Sequence, residues 1–136
     1  MKPVLGLDIG DRRIGIAVSS TGVLANGLET YNRITLKKDA LYIFDIAKRW
    51  GASVIVAGLP HHLDGSEHEQ AVKNETLLDE IRSLGLKIEY FDERLTSSAA
   101  EQYMLAADMS RKKRKANIDK LAAQIILQNY LDSKIL

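Results

Sequence analysis

Three observations point to an α/β fold built on a mixed five-stranded sheet. Residues 4–33 carry short apolar stretches broken by turn signals, the pattern of three strands joined by short connections. From residue 37 the apolar spacing lengthens to a helical period, and helical stretches then alternate with two short apolar runs. The last stretch is apolar over a wide arc, so it must pack on the sheet. Right-handed crossovers set the two later strands parallel to the first, which gives three antiparallel strands, then two parallel ones, with helices on both faces. At 136 residues and 46% apolar content, the chain is expected to form a single domain spanning 1–136 that buries roughly two thirds of its unfolded surface.

The first strand and turn run from Val4 to Gly10, and Arg13 to Ser19 returns as the second strand. Leu24 to Arg33 reads as the third, with Gly22 and Asn26-Gly27 as turn or bulge signals. Between Lys37 and Trp50, Leu41, Phe44 and Ala47 with Ile43 and Ile46 mark a helix face, and Gly51 ends it. Ser53 to Leu59 is the kind of apolar run expected of a strand buried on both faces, and Pro60 stops it. The polar segment His61 to Glu69 contains Asp64-Gly65-Ser66 and reads as a loop at the carboxyl end of that strand, where open α/β sheets commonly bind ligands. Ala71 to Leu84 forms a helix ending at Gly85, and Leu86 to Phe91 a strand that leads into Asp92-Glu93-Arg94. Ser98 with Glu101 is a capping box for a helix through Ala107. After the basic run Arg111-Lys112-Lys113-Arg114-Lys115, for which a solvated connector is the plainer reading, Ile118, Leu121, Ala122, Ile125 and Ile126 build the last helix.

Composition excludes several classes. No apolar run approaches the ~20 residues of a membrane span, and the Met1-Lys2-Pro3 start leads into a strand rather than a signal peptide. A soluble cytoplasmic protein with no membrane partner is expected. The absence of cysteine removes disulfides, thiolate metal sites and cysteine nucleophiles together. A net charge of +1 averages over an uneven distribution, because the run from Arg111 to Lys115 is unbroken while the acids are scattered.

Three acids stand out by context: Asp8 at the end of the first strand, Glu93 beyond the last strand, and Asp119 at the start of the final helix. If that helix crosses the strand ends, Asp119 faces Asp8 and the carboxylates converge. Two carboxylates about 4 Å apart repel by about 4 kcal/mol at an effective dielectric of 20, so the cluster needs a cation. Oxygen-only ligation suits Mg²⁺ or Mn²⁺, and a pair of such ions activates water and stabilises the leaving oxygen of a phosphodiester. Each acid also has a plainer reading. Asp8 would close the turn, Asp119 would favour the helix dipole, and Glu93 would pair with Arg94 or Lys87. Asp92 is an alternative third ligand. Cations beside the acids, from Arg111, Lys112, Lys113, Arg114 and Lys115 with Arg12, Arg13 and Arg94 extending the path, would hold a phosphate backbone over the metal. His61 and His62 read as loop histidines facing solvent or RNA phosphate rather than metal ligands. With 6% aromatics, recognition by shape and backbone is expected over base stacking.

Gly6-Leu7-Asp8-Ile9-Gly10 with Arg13 to Ala17, Gly58-Leu59-Pro60 with Asp64-Gly65-Ser66, Asp92-Glu93-Arg94-Leu95-Thr96, and Ile118-Asp119 with Ala122-Ala123 together resemble the four motif blocks of the YqgF (RuvX-like) family. That family comprises pre-16S rRNA nucleases and Holliday-junction resolvase-like proteins, and the resemblance covers almost the whole chain. It implies a ribonuclease-H-like sheet, a metal-dependent nuclease maturing the 5′ end of 16S rRNA, and an acidic triad on Asp8, Glu93 and Asp119. RNA in pre-16S rRNA or pre-ribosomal particles, or branched DNA, is the implied partner, with the protein a monomer or homodimer. Two departures stand out: His61-His62-Leu63 after the proline, and Ser97 where a second threonine is common. Neither touches the acids.

Three functions follow. The first is metal-dependent phosphodiester hydrolysis in structured RNA, with a DNA-junction resolvase as its nearest variant; symmetric cutting by the latter needs a twofold dimer. The second is a sugar-kinase or actin-like nucleotide module, suggested by Asp8-Ile9-Gly10, for which one domain is too few. The third is a non-catalytic nucleic-acid-binding module.

Overall fold

The computed structural model describes residues 2–59, 67–92 and 111–135. In chain order they form β1 (Val4–Ile9), β2 (Arg13–Ser19), β3 (Asn26–Asn32), α1 (Leu36–Trp50), β4 (Val54–Leu59), α2 (Glu67–Ser83), β5 (Lys87–Asp92) and α3 (Arg111–Ile135). The sheet order is β3-β2-β1-β4-β5. β1 pairs antiparallel with β2 and β2 with β3, while β1 with β4 and β4 with β5 are parallel. This is the expected mixed sheet.

Strand alternation sorts the core into two layers. Leu5, Leu7 and Ile9 of β1, with Ile14, Ile16, Ile55 and Ala57, pack against Ala40, Ile43, Ile46 and Ala47 of α1 and Leu77, Leu78 and Ile81 of α2. Val4, Ala17, Val56 and Phe91 face the other way, onto Ala123, Ile126, Leu127 and Leu131 of α3. Each fully buried aliphatic side chain contributes about 1.5–3 kcal/mol. The sheet is therefore held from both sides, and among the described residues α3 packs on the face that carries Asp8.

α1 shows how local chemistry sets its ends. Thr35 caps it, its hydroxyl accepting from Lys38 N–H at 3.2 Å. Gly51 closes it at φ 71°, with Gly51 N–H on Lys48 O at 3.1 Å and Ala52 N–H on Ala47 O at 2.8 Å. That pair of bonds is a Schellman motif, which only a residue tolerating the left-handed region forms cheaply.

The structure differs from the sequence expectations at three element boundaries. β3 begins at Asn26 rather than Leu24, and its register with β2 slips between Ile16 and Ala17, so that Leu28 is bulged out. α2 begins at Glu67, so the last residues of the expected loop are helical. α3 begins at Arg111, so the basic run is helix and not connector, and Asp119 lies in the third turn rather than at the start. Lysine and arginine are good helix formers, and nothing between 111 and 118 breaks a helix; the run lacks only the apolar period by which a helix is recognised. The expected capping box and helix near 98–107 lie outside the described residues.

Candidate active site

Asp8 sits near the carboxyl end of β1, with Gly15 of β2 as its cross-strand partner. Gly15 in turn is where α3 touches the sheet. A Cβ at residue 15 would lie 1.9 Å from the carbonyl oxygen of Asp119 and 2.4 Å from its carbon, so the helix backbone rests on the space a side chain would fill. Two more glycines repeat the device. A Cβ at Gly6 would meet Leu127 Cβ at 2.8 Å, and one at Gly27 would meet Lys120 Cγ at 2.7 Å. Gly6 and Gly27 both pair with Ala17, so a row of small residues crosses three strands beneath α3. Ala123, fully buried, faces it from the helix.

Side-chain amides fix the helix along this row. Gln124 Oε1 accepts from Gly27 N–H at 2.9 Å, and Gln128 Oε1 accepts from Ala25 N–H at 2.8 Å. Gln128 Nε2 donates to Val23 O at 3.0 Å. Two of these bonds satisfy backbone donors near the β3 bulge, where the ladder is interrupted. Close approach and these bonds together set Asp119 beside Asp8.

The electrostatics follow from that placement. Burial, and then the negative charge of Asp119, push the Asp8 carboxyl up to about 7. No described residue donates a hydrogen bond to it. Asp119, by contrast, is held by Arg13, whose Nε donates to its Oδ2 at 2.8 Å. The hydroxyl of Thr30, opposite Gly15 on β3, is buried with no hydrogen-bond partner among the described residues. Partly buried carboxylate oxygens short of donors are a donor set that suits a hard divalent cation. The described residues contain two convergent acids and no cluster of three.

The sequence expectations are placed unevenly. Asp8 and Asp119 are brought together. Glu93, Arg94, His61 and His62 lie outside the described residues. Arg13 was expected on the phosphate path, but its Nε is engaged by Asp119, and its side chain retains 44% exposure. Arg12 is exposed at the β1–β2 turn. Arg111 to Lys115 form the first turns of α3, leading into the Asp119 segment. Sequence reading missed the glycine row. Its only signal is that Gly6 and Gly15 sit inside apolar strands, where glycine is otherwise unfavourable.

Comparisons with known proteins agree with this architecture. A family model described as "RuvX: Holliday junction resolvase" matches residues 2–133. A relative from Clostridium novyi (strain NT), named "Putative pre-16S rRNA nuclease", is 45% identical, covering 96% of this chain and 98% of its own. One of the same name from Halalkalibacterium halodurans is 46% identical, covering 94% of each. Among solved structures, T. thermophilus RuvC in complex with Holliday junction substrate matches at TM-score 0.65 and 14% identity, over 99% of this chain and 96% of that one. The Fowlpox virus resolvase with Holliday junction DNA matches at TM-score 0.58 and 9% identity, over 98% and 99%. At such identities the likeness speaks to the fold.

Proposed function

The chain belongs to the RuvX family, and on that premise we propose a metal-dependent nuclease that hydrolyses phosphodiester bonds in structured RNA and matures the 5′ end of 16S rRNA. The observation that carries the reading is the convergence of Asp8 and Asp119 across Gly15. Asp8 and Asp119, completed by Glu93, would hold Mg²⁺ or Mn²⁺. The cation, when bound, supplies Lewis-acid activation of water and of the phosphoryl group.

The chain's own residues divide the remaining work. Arg13 fixes the carboxylate of Asp119 through its Nε hydrogen bond, and Asp8 is the acid that would give up a proton near neutral pH when a cation enters. The basic run stands in the first turns of α3, which contain no acid, although cations there oppose the helix dipole. Keeping five positive charges at that end supports a role in holding phosphates, with Arg12 and Arg94 extending the path. A single domain working in the cytoplasm on pre-ribosomal RNA accords with the size and with the absence of a membrane-crossing helix among the described residues.

The description of the matching family favours one second reading, a DNA-junction endonuclease with the same acids. Incubation with a 5′-extended 16S rRNA precursor and with a four-way DNA junction, each with and without Mn²⁺, separates the two. Mn²⁺-dependent cutting of the RNA alone is expected; cutting of the junction alone would replace this reading, and no cutting of either would end it.

A further inference from the structure

An open cavity of about 840 Å³ lies on the α1–α2 side of the sheet, at the same end as Asp8. It forms where the β1–β2 turn, the β3–α1 junction and α2 meet. Its walls carry three cations, Arg12, Arg33 and Lys73, and two acids, Asp11 and Asp39. The two acids are not equivalent. Asp39 is 1% exposed, and one of its oxygens accepts from Tyr31 OH and Ile34 N–H at 2.9 Å each. The other accepts from Arg33 Nε at 2.9 Å, so this carboxylate is consumed inside the wall. Asp11 faces solvent, with Lys73 at 3.6 Å and both side chains at least half exposed. A pair that long and that exposed is weak. The Arg12 side chain has no hydrogen-bond or ion-pair partner among the described residues, and the lining carries three cations to two acids.

The cavity is also held in shape before anything binds. Arg33 Nη1 donates to Gly10 O at 3.0 Å, and Arg33 N–H to Arg12 O at 2.9 Å, so the turn bearing Arg12 is clipped to the start of α1. Thr35 and Leu36, at the start of α1, complete that wall. None of the lining side chains is aromatic, so a base would find nothing to stack on. Cationic, open, without a stacking platform and three residues along the chain from Asp8, it suits a backbone phosphate.

We propose that this cavity is a second phosphate subsite, which holds a backbone phosphate of the nucleic-acid strand flanking the one presented to Asp8 and Asp119, so that the substrate passes over the β1–β2 turn. The proposal rests on the nuclease reading and names where the strand leaves the acids.

The test measures binding of a labelled single-stranded oligonucleotide to the full chain in EDTA, as a function of salt, for the wild type and for the double variant Arg12→Gln/Lys73→Gln. Loss of two phosphate contacts makes the slope of log K against log salt shallower by about 1.4. An unchanged slope in a variant with wild-type melting overturns the proposal. Backbone amide NMR shifts at residues 33–37 supply an independent readout, with inorganic phosphate and the oligonucleotide titrated separately. Shifts with the oligonucleotide support the subsite, whereas shifts with inorganic phosphate alone reduce the cavity to a free-anion site and overturn it. Binding contains no cleavage step. A protein that cuts RNA with an unchanged slope refutes the cavity alone, and one that shows the shallower slope yet cuts nothing refutes the nuclease reading alone.

Discussion

Asp8 is an acid whose folded environment favours its protonated form, and that has a measurable sign. Its folded pKa of about 7 exceeds the ordinary 3.8, so between those values the folded chain binds more protons than the unfolded one. Stability of the metal-free protein therefore falls as pH rises from about 4 to about 7 and levels off above, by on the order of a few kcal/mol. Asp8→Asn removes this slope. Urea melts across that range in EDTA should show the variant as stable as the wild type at pH 4 and more stable at pH 7, with cleavage abolished. A variant that unfolds several degrees earlier at both pH values would make Asp8 structural.

Gly15 makes the complementary case, where what matters is the absence of a side chain. A Cβ there meets the carbonyl of Asp119, which is helix backbone and cannot swing aside. Gly15→Ala should cost at least about 1–3 kcal/mol as an overpacked contact, and should weaken Mn²⁺ binding because α3 must lift. Gly51→Ala is the control. At φ 71° with open space around it, it should cost about 1 kcal/mol and leave metal binding unchanged. Equal metal affinities in the two variants would show that the contact at Gly15 does not position Asp119.

Among the elements, α1 and α3 contribute charges of opposite sign. α1 contributes Asp39, whose carboxyl burial alone would raise, but which the Ile34 N–H, Arg33 and Tyr31 hydrogen bonds hold below the usual range. An acid lowered in this way stabilises above its unfolded pKa and loses that contribution as pH falls through the folded value. Asp39→Asn leaves the largely buried Arg33 without its counter-charge. It should cost about 3–5 kcal/mol at pH 7, and the deficit relative to wild type should shrink in acid below about 4. Denaturation at pH 7 and pH 3 checks both parts. α3 contributes the basic run. Lys112→Ala with Lys113→Ala should lower affinity for all RNA sequences alike and flatten the salt slope by about 1.4; a loss confined to one sequence would contradict backbone recognition.

How much of this was legible in the sequence depends on the range over which each signal acts. The β1–β2 hairpin and α1 with its Gly51 end were readable, because turn residues and apolar period are local. The last helix was legible only from Ile118, because the basic run before it favours helix without carrying an apolar stripe. Gly6, Gly15 and Gly27 could be seen as unusual within strands, but not as the seat of a helix about a hundred residues away. Nor could the sequence show that Arg13 would be taken by Asp119. Asp8 and Asp119 were nominated by context, and their approach depends on the glycine row.

The molecule as a whole is a sheet with its two faces put to different uses. One face buries the larger aliphatic core under α1 and α2. The other trades bulk for proximity, with small residues letting α3 settle close enough to set two acids side by side. A cation that binds only the folded arrangement should raise stability by about 2.7 kcal/mol at a hundredfold excess over its dissociation constant. Calorimetric titration of Mn²⁺ into the wild type, Asp8→Asn and Asp119→Asn at pH 7 tests the convergence most directly. The wild type should bind with proton release, and each variant at least about tenfold more weakly. Isotherms that are the same for all three proteins would mean that residues 8 and 119 do not share a metal.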